Sequence, residues 1–262
     1  MLKVKYNDIE QTVNIGEFYS NELRINKLGI SISSIEDELT FTYIHEIEVG
    51  RNTKSLFVLL LLLETYSSGS IKPKINVAFD YLPFSRMDKP DNQYEETLAP
   101  FIRLVGKYSN SLTTVSVHSK VPFENHFNWH DEDSEHVKTV SKLATEPNTY
   151  LVAVDAGSKK RYANLNFPIE FAKKRVNGTI TQQEVVLGSE ILDGKGEKTF
   201  ILIDDICSMG ITFTNVGKEL KKFEPNCHLH VYVHFMEAQA LNIGLNSDLF
   251  KTFDSVKFVK II

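Results

Sequence analysis

The sequence predicts an α/β fold in two halves, each a mostly parallel sheet flanked by helices, and three observations carry that expectation. Short runs rich in β-branched and aromatic residues recur along the chain: Ile75 to Phe79, Thr113 to Val117, Tyr150 to Val154, Thr199 to Ile203 and His230 to His234. Between them stand segments with helical apolar spacing, Tyr94 to Tyr108 in the first half and the stretch after Thr212 in the second. The residues just after the strands are unusually polar, and in open α/β sheets ligands collect beyond the carboxyl ends of strands.

The elements follow in order. Ser55 to Tyr66 is a leucine run closed by Ser67-Ser68-Gly69-Ser70, and its length suits a buried helix better than a strand. Ile75 to Phe79, the helical stretch and Thr113 to Val117 then form a β-α-β unit. The second half repeats the idea with Tyr150 to Val154, the segment Glu170 to Lys174, Thr199 to Ile203, a helix after Thr212 and His230 to His234. Val256 to Lys260 reads as a last strand. Trp129-His130-Asp131-Glu132-Asp133 interrupts the apolar pattern, which places the division between residues 1–133 and 134–262. The duplication is structural and is not visible as sequence identity.

Composition narrows the function. An apolar share of 42% over 262 residues is enough for a sizeable core without disulfides. Charges of both signs are intermixed and sum to −5, so no general polyanion-binding face is present and nucleic acid is not an expected partner. Cys207 and Cys227 form no CxxC pair, which fits a reducing compartment. The longest apolar run, Leu56 to Leu63, is far short of the roughly 20 residues that cross a bilayer, and no charged-then-apolar leader begins the chain. A cytoplasmic protein without membrane contact is expected.

Two clusters carry chemistry. After Ile203 comes Asp204-Asp205-Ile206-Cys207-Ser208-Met209-Gly210-Ile211-Thr212, adjacent carboxylates followed by a small turn that opens a helix. Carboxylates at a strand end can accept from vicinal hydroxyls, and amides at a helix start can bind phosphate. The bland alternative is an Asx turn that caps the helix. After Phe79 comes Asp80-Tyr81-Leu82-Pro83-Phe84-Ser85-Arg86-Met87-Asp88-Lys89-Pro90, in which Arg86 can neutralise polyphosphate and Asp88 orient it. Alone, it would be a surface loop with an ordinary ion pair.

The first cluster looks like the phosphoribosyl-binding signature of phosphoribosyltransferases and pyrophosphokinases. The second closely resembles the pyrophosphokinase stretch Tyr-x-Pro-Tyr-x-Arg-Gln-Asp-Arg-Lys. From Ile15 onward the chain is similar, in order, to the ribose-phosphate pyrophosphokinase family. Gly16 to Arg24 resembles the segment that reaches a neighbouring subunit's site and holds adenine, with Phe18 and Glu22 matching and Ser20 in place of an aspartate. Val117-His118 resembles Asp-Leu-His beside metal and ATP phosphates. Val154-Asp155-Ala156-Gly157-Ser158-Lys159-Lys160-Arg161 resembles Pro-Asp-Ala-Gly-Gly-x-x-Arg at the magnesium. Ala172-Lys173-Lys174-Arg175 resembles the start of the mobile catalytic loop.

The resemblance implies two phosphoribosyltransferase-like halves and transfer of the β,γ-diphosphate of ATP to the anomeric hydroxyl of a 5-phosphorylated ribose, with Mg²⁺ as cofactor. It assigns catalysis to Lys173, Arg175, His118 and Arg86, and ATP binding to Phe18, Ser20, Glu22, Arg86, Asp88 and His118. Ribose and phosphate fall to Asp204, Asp205, Ser208, Gly210 and Thr212, and metal to His118 and Asp155. An assembly of at least a dimer is the smallest that delivers Phe18 in trans. His126, His130, Asp131, Asp133 and His136 suggest a transition-metal site, which we set aside because no glutamate completes HExxH.

The sequence departs from the family in the phosphate loop, where Ser208, Met209 and Ile211 replace Asp, Thr and Gly. A methionine offers no hydroxyl donor, and an isoleucine limits backbone approach to a ligand. An acceptor whose 5-phosphate is already esterified loses less from these changes, so ADP-ribose, used in NAD salvage, is favoured over ribose 5-phosphate. A phosphoribosyltransferase, or a catalytically silent protein that regulates true synthetases, are the competing classes.

Overall fold

The computed structural model describes residues 1–20, 22–47, 49–88, 95–120, 123, 128–131, 134–163, 169–177, 180–186, 196–242 and 248–262. The chain forms two compact units, Met1–Asp133 and Ser134–Ile262.

In the first unit, strands β1 (Leu2–Tyr6), β2 (Ile9–Thr12), β3 (Ile15–Glu17), β4 (Leu23–Ile25) and β5 (Glu38–Tyr43) precede helix α1 (Val49–Ser67). Then come β6 (Lys74–Phe79), α2 (Leu98–Tyr108), β7 (Ser111–Thr114) and β8 (Trp129–Asp131). The sheet order is β2-β1-β5-β6-β7-β8, with β3 and β4 as a separate hairpin. From β5 to β8 all pairings are parallel, while β1 is antiparallel to both β2 and β5. Alternation explains the strands: Leu39, Phe41 and Tyr43 of β5 and Ile75, Val77 and Phe79 of β6 are buried while their neighbours are not. They pack in one core with Val58, Leu59, Leu62 and Leu63 from the leucine run, which lies inside α1. Helix α2 buries Leu98, Phe101, Ile102 and Val105, the i, i+3, i+4, i+7 pattern of one helical face.

Several boundaries differ from the sequence expectation, two of them around α2 and β7. The strand expected to reach Val117 stops at Thr114, because Ser116 takes the left-handed conformation at φ 47°. Val117 is buried all the same and anchors the segment that follows. Helix α2 begins at Leu98, and Tyr94 lies outside the described residues.

The second unit contains α3 (Ser134–Leu143), β9 (Thr149–Ala153), α4 (Ala156–Arg161), β10 (Ile169–Asn177), β11 (Ile180–Val186) and β12 (Thr199–Cys207). It continues with α5 (Ile211–Phe223), β13 (His228–Met236), α6 (Ala238–Asn242), α7 (Asp248–Thr252) and β14 (Ser255–Ile261). The order is β11-β10-β9-β12-β13-β14, parallel except for the β10–β11 hairpin. Strand β12 is apolar on both sides, as a covered parallel strand should be. Phe200 and Leu202 join Val216 and Leu220 of α5, whereas Ile201 and Ile203 join Val140 of α3 and Tyr162.

Glu170 to Lys174 lie in β10. The resemblance implies the start of a mobile loop there, but the backbone is held in a ladder, with Lys173 opposite Glu184 and Arg175 opposite Gln182 of β11. Among the described residues no helix is long and apolar enough to cross a membrane.

Candidate functional site

In the second unit the carboxyl end of β9 lies beside Ile203 of β12. Strand β12 continues past Ile203 to Cys207, paired with β13 through Cys207 and Met236, so Asp204 and Asp205 belong to the end of the strand and not to the turn beyond it. Asp205 is buried and its Oδ2 lies 3.2 Å from Nη2 of Arg161, at the end of α4. Asp204 Oδ1 accepts the Asp205 N–H at 2.9 Å. Burial, then the charge and hydrogen bond of Asp205, then the charge of Asp155, hold the Asp204 carboxyl well above the usual carboxylate range. Asp155 itself caps α4: its Oδ1 accepts the Ser158 N–H at 2.9 Å, in a capping box with the Ser158 side chain.

Two histidines flank this group. His136 of α3 shares a 2.7 Å hydrogen bond between Nε2 and the Tyr162 hydroxyl, and its ring lies 5.4 Å from that of His234 on β13. Burial above all, aided by His234 and Arg161, pushes the His136 imidazole down to about 3. Burial and Arg161 push His234 down to about 4. Both rings are therefore neutral near pH 7. Arg161 and His234 were not singled out as site residues from sequence, and His136 was weighed only for the transition-metal site that was set aside. The legible signal for Arg161 was the match of Asp155 to Arg161 with the family motif; His234 left no signal beyond a polar residue in apolar company.

The turn after β12 opens helix α5. Gly210 is its N-cap at φ 72°, with no side-chain capping bond, and a Cβ there would meet Leu249 Cδ2 at 2.9 Å. Thr212 is half-buried in the first turn, while Met209 and Ile211 are exposed by 45% and 63%. Ser208 Oγ donates to Oε2 of Glu237, the residue after β13, at 2.5 Å. Glu237 is a further member that the sequence did not suggest.

In the first unit the hairpin β3–β4 gathers the three residues matched to the adenine segment. The Phe18 N–H donates to the Glu22 carbonyl at 2.9 Å, and Ser20 Oγ donates to Glu22 Oε2 at 3.0 Å. The Phe18 ring is 53% exposed, with the Arg24 guanidinium 5.8 Å from its centroid. Asn21 lies outside the described residues. Arg86 is exposed and Asp88 half-buried in the segment after β6, where the Met87 carbonyl accepts the N–H groups of Thr97 and Leu98, both at 3.2 Å. His118 is exposed after β7, the parallel neighbour of β6, so His118 and Arg86 follow the same end of this sheet. Lys89 and Pro90, and the side chains of Lys173 and Arg175, lie outside the described residues.

The described residues weighed for a transition metal fall in two different units. His130 and Asp131 are on β8 of the first unit, His136 is on α3 of the second, and His126 and Asp133 lie outside the described residues. Among the described residues no three of His, Cys, Asp and Glu are placed to hold a metal ion.

No family model matches the sequence, and no curated protein matches it. Solved structures do. The phosphoribosylpyrophosphate synthetase from Mycobacterium smegmatis superposes with a TM-score of 0.62 over 96% of this chain and 86% of that one, at 13% identity. An orotate phosphoribosyltransferase from Aeropyrum pernix covers 49% of this chain and 71% of its own, at 11% identity and a TM-score of 0.34. The chain therefore has the α/β fold of that phosphoribosylpyrophosphate synthetase, built as two compact units.

Proposed function

We propose that the protein is a diphosphokinase that moves the β,γ-diphosphate of ATP onto the anomeric hydroxyl of a 5-phosphorylated ribose. The hydroxyl oxygen bonds to the β-phosphorus, the bond from that phosphorus to the oxygen bridging the α-phosphate breaks, AMP leaves and the hydroxyl proton passes to water. The observation that carries this reading is the pairing of Asp204 and Asp205 with a helix start opened by Gly210, at the carboxyl end of a parallel strand. A synthetase of phosphoribosylpyrophosphate with the same fold supports it.

In this reading Asp204 holds the ribose hydroxyls, with Asp205 fixed behind it by Arg161. Thr212 and the α5 amides take the phosphate. Arg86, Lys173 and Arg175 stabilise the transferred phosphates, since phosphoryl transfer asks of a protein mainly position and charge. The exposed Phe18 ring stacks on adenine, with Ser20 and Glu22 at the same hairpin tip, and its exposure fits delivery to a second copy in at least a dimer. Asp88 orients the polyphosphate.

The residues fit magnesium. The Asp204 carboxyl is held up first by burial and then by the neighbouring charges of Asp205 and Asp155, and a hard cation would relieve that part of the shift that comes from negative charge. Magnesium commonly takes one or two carboxylates and completes its shell with water and phosphate oxygens, so a three-residue cage is not required. Asp155 and Asp204 would hold it, with His118 assigned by the resemblance, and the ion would neutralise phosphate oxygens.

For the acceptor we favour ADP-ribose over ribose 5-phosphate, because Met209 and Ile211 line the phosphate turn and are exposed. The product would be ADP-ribose pyrophosphate, in cytoplasmic NAD salvage. Incubation with Mg-ATP and each acceptor, followed by AMP release and product mass, tests both steps. No AMP with either acceptor would refute the activity, and faster turnover of ribose 5-phosphate would refute the acceptor.

A further inference from the structure

The hydroxyl of Ser208 stands in the turn that would take the acceptor's phosphate, yet its hydrogen goes to a carboxylate, Glu237 Oε2, at 2.5 Å. Glu237 is tied to the turn by its backbone as well, through its N–H to the Cys207 carbonyl at 2.9 Å. A fixed negative charge is thereby placed beside the phosphate position. The Cys207 thiol is pushed up to about 12, by burial first and then by the charges of Asp204 and Glu237. The Glu237 carboxylate therefore lies against the turn through Ser208.

Such a field discriminates by charge. A phosphate monoester carries about −1.5 to −2 near neutral pH. A phosphate in diester or diphosphate linkage has one ionised oxygen. Repulsion scales with the product of charges, so a fixed carboxylate opposes the substituted phosphate about half as strongly. The mouth of the turn agrees with this: Met209 and Ile211 present apolar surface that a bare monoester could not use and that a group carried beyond the phosphate could.

Resting on the diphosphokinase reading of this site, we infer that Glu237 is a specificity-determining residue, which admits acceptors whose ribose 5-phosphate bears a further substituent and repels the monoester. The fixed carboxylate is the repulsive element that selectivity between two such similar ligands requires.

Calorimetric titration of the full chain with ribose 5-phosphate and with ADP-ribose, without ATP, tests this independently of turnover. Glu237→Gln keeps the shape and removes the charge; it should tighten ribose 5-phosphate by about tenfold and change ADP-ribose by less than about threefold. Glu237→Asp keeps the charge and should keep the parent preference, which a merely structural role would not produce. If both ligands bind and Glu237→Gln leaves their ratio unmoved, Glu237 does not set specificity and the diphosphokinase reading stands. If neither ligand binds parent or variant, the site is not a ribose-phosphate site and both conclusions fall.

Discussion

Arg161 Nη2 lies 3.2 Å from Asp205 Oδ2, with the two side chains only 8% and 5% exposed. A buried pair adds little over an apolar replacement, but removing one member strands the other's charge. Arg161→Met should therefore destabilise the chain by about 3–5 kcal/mol in urea unfolding. Arg161→Met with Asp205→Leu should be more stable than the single variant. A double variant as unstable as the sum of the two singles would show that the groups do not act as a pair.

The neutral histidines give stability a defined pH dependence. His136 and His234 titrate at about 3 and about 4 in the folded chain, against 6.5 for an unperturbed imidazole. Below pH 6.5 the unfolded chain takes up protons that the folded chain refuses. Their contribution is therefore complete above pH 6.5 and is lost as pH falls toward 4 and then 3, at up to about 1.4 kcal/mol per pH unit for each ring. Asp204, with its raised carboxyl, works in the opposite sense, losing stability as pH rises through its folded value. His136→Gln isolates the first effect: the difference in urea midpoint between parent and variant should change between pH 7 and 5, and a constant difference would exclude it.

Gly210 combines a left-handed backbone with a close wall. Gly210→Ala meets both the unfavourable φ of 72° and Leu249 Cδ2 at 2.9 Å, so a loss of about 1–3 kcal/mol is expected. Adding Leu249→Ala removes the collision but keeps the backbone strain. Ribose 5-phosphate binding by calorimetry should weaken in Gly210→Ala, and unchanged binding would show that the α5 amides are not its anchor.

Much of the fold was legible because its signals are local. Alternation in Glu38 to Tyr43 and Lys74 to Phe79, and the one-faced spacing of Leu98, Phe101, Ile102 and Val105, need no knowledge of distant residues. The end of β7 was not legible, because a serine at φ 47° leaves no mark in the apolar pattern. Motif matches found Asp155, Asp204 and Asp205, which sit at strand ends where the topology demands polar residues. Arg161, His234 and Glu237 were missed, and His136 was seen only as part of a metal cluster, for a different reason. Each acts through a partner 26 or more residues away or on another element, and only folding brings Asp205 to Arg161 or Ser208 to Glu237.

Asp155 separates a structural duty from a chemical one. As the α4 cap it needs only an acceptor oxygen for the Ser158 N–H, and asparagine supplies that about as well as aspartate. As a magnesium contact it would need its charge. Asp155→Ala should lose both, about 1 kcal/mol of stability and most of the activity, whereas Asp155→Asn should keep the parent unfolding midpoint. AMP formation by Asp155→Asn is then the informative quantity, and a fall of about 10²–10³ at saturating ATP is expected if the charge serves the transferred phosphates. Raising magnesium should recover part of that loss, because a weakened site fills at higher metal concentration. Parent-like AMP formation in Asp155→Asn beside a destabilised Asp155→Ala would reduce the residue to a helix cap and move the metal to Asp204.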